Sequence, residues 1–92
     1  MGEKFFAYVA ESIGEPGYYY KGHCIDLKKR LKEHNSGMTR SIKGRTPFKI
    51  IYYQAFDTLG EAIAKEKYWK TAAGRRDIMK ILSEGPVVQW IE

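Results

Sequence analysis

Cysteine is nearly absent: Cys24 is the only one in 92 residues. No disulfide can form within the chain, and a reducing compartment is the simpler setting. Long apolar runs are missing too; nothing approaches the ~18 residues that a bilayer span requires. The opening stretch Met1-Gly2-Glu3-Lys4-Phe5 has no basic segment leading into an apolar core, so no signal peptide is expected and the cytoplasm is the expected location. Neither a Gly-x-Ser-x-Gly elbow nor a P-loop occurs. His23, Cys24 and His34 fit no four-ligand zinc spacing. Acidic residues are scarce in the middle of the chain. Between Lys28 and Lys49 stand eight basic residues against Glu33 alone, a net +7, while the whole chain carries +5. That concentration is the footprint of a polyanion partner, although a solvated surface would also be basic. It is not a long helix with an apolar stripe, which argues against a membrane-surface role.

What the chain does have is enough to fold. Hydrophobic content of 43% and aromatic content of 14% exclude disorder. Ninety-two residues suit one domain and not two. Residues near 4–11 and 17–23 are β-rich and flank the turn cluster Gly14-Glu15-Pro16-Gly17, predicting a hairpin. With a period of two, Tyr8 shares a face with Phe6 and Ala10, and Tyr20 shares one with Tyr18 and Gly22. Asp26 is a good N-cap for a helix from Leu27 to His34, stopped by Asn35-Ser36-Gly37. Leu27 and Leu31 mark its buried stripe; Arg30 and His34, also i and i+4, lie together on the adjacent face. After Pro47, Phe48–Phe56 gives the strongest strand signal. Thr58 and Glu61 form a capping box opening a helix to about Ala72, with Leu59, Ala62, Ile63 and Trp69 as its apolar face. Gly74 is expected to break it, and a shorter helix should follow over Arg75 to Leu82. The apolar tail Val87–Ile91 has no assigned place.

Five residues carry chemistry worth weighing. Glu66 falls at the edge of the buried helix face, where a carboxylate needs a cation or strong hydrogen bonds. A single carboxylate suffices for Mg²⁺ when waters and phosphate oxygens complete the shell; a salt bridge to lysine or arginine is the plainer reading of that spacing alone. Arg30 has a fork that matches phosphate oxygens, though it is also one cation in a Lys-Lys-Arg run. His34 can move a proton or bind a phosphate oxygen, or simply cap a helix C-terminus. Tyr8 and Tyr20 are neighbours across the hairpin; a phenol serves as a base near neutral pH only if adjacent positive charge lowers its pKa, which is expected here of Arg30 and a bound metal. Together these groups suggest metal-assisted cleavage of a phosphodiester.

The ordered set Phe6-Ala7-Tyr8, Tyr20-Lys21-Gly22, Asp26-Leu27-x-x-Arg30-Leu31-x-x-His34-Asn35-Ser36-Gly37, Thr39, Pro47-Phe48 and Glu61-Ala62-x-x-x-Glu66 resembles the GIY-YIG nuclease family, above all its small stand-alone bacterial members. The resemblance implies a small α/β (α+β) domain over 1–92, with its core over about 4–82 and a tail over 83–92. It implies a three-stranded antiparallel sheet flanked by about three helices in the order β-β-α-β-α-α. It further implies a metal-dependent endonuclease acting on DNA in repair or recombination, without strong sequence preference, using one Mg²⁺ or Mn²⁺. Tyr8, Tyr20, Arg30 and Glu66 match the family's active-site positions, with Glu66 on the metal, and His34 matches a histidine found in several branches. Lys28, Arg40, Lys43, Arg45 and Lys70 are expected to hold the DNA backbone. The expected partners are DNA and other repair proteins, and the expected location is the nucleoid. Phe6 and Lys21 depart from the two name motifs, and no asparagine follows Glu66, since Asn35 is the only one. A catalytically weak nucleic-acid-binding module is the alternative, and a protein-interaction domain using the Val87–Ile91 tail is a third reading.

Overall fold

Alternation along the first strand explains the architecture. Ala7, Tyr8, Val9 and Ala10 are all buried, so both faces of this strand must be covered. The computed structural model, which describes residues 4–36 and 44–83, shows how. Strand β1 (Phe5–Ser12) is the middle of a three-stranded antiparallel sheet, between β2 (Tyr19–Cys24) and β3 (Phe48–Phe56). Helix α1 (Leu27–Asn35) covers one face, and α2 (Leu59–Trp69) and α3 (Ala72–Ser83) cover the other. Leu27 and Leu31 pack with Tyr8, Ala10, Cys24, Phe48 and Ile50. Trp69 and Ile78 pack with Ala7, Val9 and Ile51. The fold is α+β, in the element order expected. No helix among the described residues is long and apolar enough to cross a membrane.

The α1 signals work as their chemistry requires. The Asp26 carboxylate accepts from the Lys29 amide at 3.1 Å, and the helix ends at Ser36. Asn35 does more than terminate: its side chain accepts from the Phe48 amide at 2.7 Å and donates to the Phe48 carbonyl at 3.2 Å. That pair of bonds ties the end of α1 to the start of β3 and fixes the last helical turn, which carries His34. The Thr58–Glu61 capping box opens α2, as expected.

Two readings of the helical hairpin are corrected. Leu59 is 45% exposed, because it sits in the first turn of α2 before that helix reaches the sheet; Ala62 and Trp69 are the buried positions. Gly74 does not break the helix. The chain turns at Lys70 and Thr71, and Gly74 lies inside α3, its amide donating to Thr71 Oγ1 at 3.0 Å. A Cβ there would stand 1.9 Å from the Tyr68 carbonyl oxygen, so glycine is required for the two helices to approach this closely. The second helix accordingly starts three residues before Arg75. The Val87–Ile91 tail lies outside the described residues.

Candidate active site

Tyr8 stands directly opposite Gly22 in the β1–β2 ladder. The missing side chain at Gly22 is where the phenol lies. A Cβ on Gly22 would be 2.7 Å from the Tyr8 hydroxyl and 3.1 Å from Tyr20 Cε1. Tyr8 is 1% exposed, and its hydroxyl is 2.6 Å from His34 Nε2, itself wholly buried. The Tyr20 ring meets the imidazole edge-on, with centroids 4.9 Å apart. Strand alternation therefore delivers the phenols to the α1 face, and the i, i+4 spacing of α1 delivers His34 beside Arg30.

The electrostatics of this group correct one expectation. Tyr8 is not an acidified phenol: burial pushes its pKa well above the ordinary tyrosine range, Tyr20 adds to this, and Arg30 opposes it only in part. Burial, then the Arg30 charge, pulls His34 down to about 4. Both partners are therefore neutral near pH 7, and one proton is shared between phenol oxygen and imidazole nitrogen. This also removes His34 as a capping cation. Cys24, pushed up to about 11 chiefly by burial, is a thiol and no metal ligand at that pH.

Arg30 has its side chain 40% exposed, 3.6 Å from the Glu33 carboxylate. It lines a surface pocket of about 210 Å³ with Cys24, Ile25, Asp26, Lys29 and Glu33. Its charge reaches Tyr8, Cys24 and His34 alike.

Glu66 comes from the other side of β2. Its Oε1 accepts from His23 Nδ1 at 2.5 Å and its Oε2 from Lys70 Nζ at 2.6 Å. Only 15% of the side chain is exposed. Burial pushes its pKa up, but the Lys70 and His23 hydrogen bonds outweigh that and hold it below the usual glutamate range. The carboxylate is ionised, and its charge is felt at Tyr8. The salt-bridge reading of Glu66 is thus met by Lys70. His23 was legible only as a rejected zinc ligand; the signal for its role is its place on the Lys21 face of β2, opposite Gly22 and towards α2.

The residues expected to hold nucleic acid are scattered. Lys28 is exposed on α1. Lys70 is engaged with Glu66. The Arg45 guanidinium stacks on Tyr18, 4.3 Å from the ring centroid, and lies 3.5 Å from Glu15, so it braces the β1–β2 turn. Arg40 and Lys43 lie outside the described residues.

A three-stranded sheet with two phenols, an arginine, a histidine and a glutamate disposed about its edge strand is a fold of nuclease type. The model of the GIY-YIG catalytic domain matches residues 4–80, and the chain belongs to that family. It is similar to a UPF0213 protein of Staphylococcus saprophyticus, 33% identical over 84 residues that cover 90% of this chain and 99% of that one. A UPF0213 protein of Streptococcus pneumoniae is 38% identical over 71 residues, 76% of this chain and 70% of its own. One from Haloquadratum walsbyi is 31% identical over 67 residues, 72% of this chain and 73% of its own.

Nucleases of the family generally use a divalent metal, and the donor set can be tested against one. A carboxylate offers about four lone-pair positions, of which His23 and Lys70 occupy two. Mg²⁺ accepts one or two carboxylates and completes its shell with waters and phosphate oxygens. Glu66 fits that use. Among the described residues no group of three or more His, Cys, Asp or Glu side chains could form a cage of its own.

Proposed function

We propose that this protein is an endonuclease that hydrolyses phosphodiester bonds in DNA with a divalent metal, and that residues 1–92 form one nuclease domain. The observation that carries the reading is a neutral phenol–imidazole pair and an ionised carboxylate on opposite sides of one edge strand, with a guanidinium whose charge reaches the pair. Hydrolysis of a phosphodiester is chiefly positioning and charge neutralisation, and these groups supply both.

In this reading the attacking water donates a hydrogen bond to the Tyr8 oxygen. As the water oxygen bonds to phosphorus, its proton passes to Tyr8 while the phenol's own proton passes to His34 Nε2. No free phenolate accumulates, so the raised pKa of Tyr8 is no obstacle. A phosphate anion held beside His34 raises its basicity for that step, and departure of the product restores the low value and releases the proton. Tyr20 donates to a phosphate oxygen. Arg30 binds the non-bridging oxygens as their charge grows, and the phosphorus–sugar oxygen bond then breaks, with solvent protonating the leaving group. A divalent ion held by Glu66 would add Lewis-acid neutralisation of the same phosphate. Lys28 and Lys70 contact the backbone, which carries no sequence information, and weak sequence preference follows.

The test is incubation with supercoiled and branched DNA, with and without Mg²⁺ or Mn²⁺. Metal-dependent nicking that disappears in Glu66→Gln and Tyr8→Phe supports the reading. Binding of duplex DNA without cleavage of any substrate under either metal would reduce the protein to a nucleic-acid-binding module.

A further inference from the structure

Strand β2 presents a second charged group on the face away from the phenols. Lys21 and His23 alternate with Tyr20 and Gly22, so both point towards α2. Lys70 closes the C-terminus of α2. Two residues later α3 begins, and Arg75 in its first turn donates from Nη1 to the Lys70 carbonyl at 3.0 Å. Lys21, Lys70 and Arg75 therefore converge where an edge strand, a helix end and a helix start meet. Burial, then the charges of Arg75 and Lys70, holds the Lys21 amine below the usual lysine range, so the three cations are close enough to repel.

The carboxylate available to them is already used: Glu66 gives one oxygen to Lys70 and the other to His23. Among the described residues neither Lys21 nor Arg75 has a carboxylate partner. Three gathered cations with one shared counter-charge are a cost to the fold that a bound anion removes. Lys21 is also where the chain departs from the second name motif.

We propose that Lys21, Lys70 and Arg75 form a phosphate-binding site for the nucleic-acid backbone, next to Glu66 and separate from the basic stretch of Lys28–Lys49. The site rests on the nuclease reading only for the identity of its ligand. It carries the strand across the β2 edge, so that one backbone phosphate is held here while a neighbouring one lies at Arg30 and Tyr20. Lysine supplies a point charge and arginine a planar fork, a pair suited to a phosphate and indifferent to base identity.

The experiment measures affinity of a labelled 20-base-pair duplex in chelator, across a salt series, for the wild type, Lys21→Met, Arg75→Gln and the double variant. Lys80→Gln, an equal charge loss in the last turn of α3, is the control. Each single variant is expected to weaken binding several-fold and to reduce the log K against log salt slope by about 0.9, and the double variant by about 1.8. Lys80→Gln should leave the slope unchanged. A double variant that melts like the wild type and keeps its slope overturns the site. Metal-dependent nicking is assayed in parallel. A reduced slope in a protein that cleaves nothing sinks the nuclease reading and leaves the anion site; an unchanged slope with Glu66-dependent cleavage does the reverse.

Discussion

Gly22→Ala adds one methyl group and should disable the site. The backbone is not the obstacle, since Gly22 does not lie in the positive-φ region. Space is. The new carbon would stand 2.7 Å from the Tyr8 hydroxyl oxygen and 2.9 Å from Tyr8 Cζ, against an ordinary separation of about 3.5–4.0 Å. The phenol cannot retreat, because it is packed among Ala10, Leu31, Phe48 and Ile50. Overpacking of this kind costs about 1–3 kcal/mol. Displacing the hydroxyl from His34 breaks a buried hydrogen bond, about 1–3 kcal/mol more. Alanine recovers about 0.5–1 kcal/mol of backbone entropy. The net loss is about 1–5 kcal/mol, which for a domain of this size lowers Tm by at least about 4 °C. Cleavage should fall by about 10²-fold or more, since the shifted phenol no longer meets His34. The assay is thermal unfolding with nicking of supercoiled DNA, the unfolding alone being repeated in a Tyr8→Phe background. Removing the hydroxyl takes away the 2.7 Å contact, so Gly22→Ala should cost at least about 1 kcal/mol less there. A Gly22→Ala protein that melts and cuts like the wild type, or a cycle without coupling, refutes the reasoning.

Glu66→Gln should abolish metal-dependent nicking while duplex affinity is kept or raised, because a negative charge beside phosphate is lost; equal nicking rates would remove Glu66 from the chemistry. Leu31→Ala should cost about 2–5 kcal/mol, as a buried side chain of the α1 stripe. Arg30→Ala should leave Tm nearly unchanged and slow cleavage by about 10²–10³-fold; an unfolded Arg30→Ala protein would make that residue structural. Because His34 is held down to about 4 against about 6.5 in an unfolded chain, the unfolded state binds more protons between those values. Stability is then full above about pH 6.5 and falls as pH drops towards 4, by about 3 kcal/mol in all. Tm measured from pH 7 to 4 should show a slope that His34→Gln flattens, and an unchanged slope would mean that His34 is not buried neutral.

The sheet and the phenol cluster were legible because their signals are local. A period of two in β1 and β2 assigns Tyr8, Tyr20 and Gly22 to one face, and the i, i+4 spacing of α1 assigns Arg30 and His34 to neighbouring positions. What local spacing does not encode is depth. Burial decides that Tyr8 is a proton donor kept neutral and not an acidified base, and burial depends on Phe48 and Ile50, residues far along the chain. Gly74 misled for a related reason. In sequence a glycine between helical runs reads as a stop, but here it is a close approach to the Tyr68 carbonyl, visible only once α2 and α3 are folded together. His23 was missed because its partner lies 43 residues away.

One physical device connects these findings, the alternation of the edge strand β2. Tyr20 and Gly22 face α1, where burial keeps a phenol and an imidazole uncharged. Lys21 and His23 face α2, where hydrogen bonds keep a carboxylate charged. A neutral phenol–imidazole pair and an ionised carboxylate have opposed requirements, since the burial that suits the first destabilises the second. Alternation along one strand places the two on opposite faces of the sheet edge, so each keeps its own environment. Register is what protects the arrangement. A slip of one residue between β1 and β2 would send Lys21 into the phenol pocket and remove the glycine that makes room for Tyr8. The bonds from Asn35 to Phe48 tie α1 to the other edge of the sheet, so His34 meets the phenol only when all three strands are in place. The phenol–imidazole pair is therefore assembled by the fold as a whole, and its integrity should report on folding as directly as any core contact.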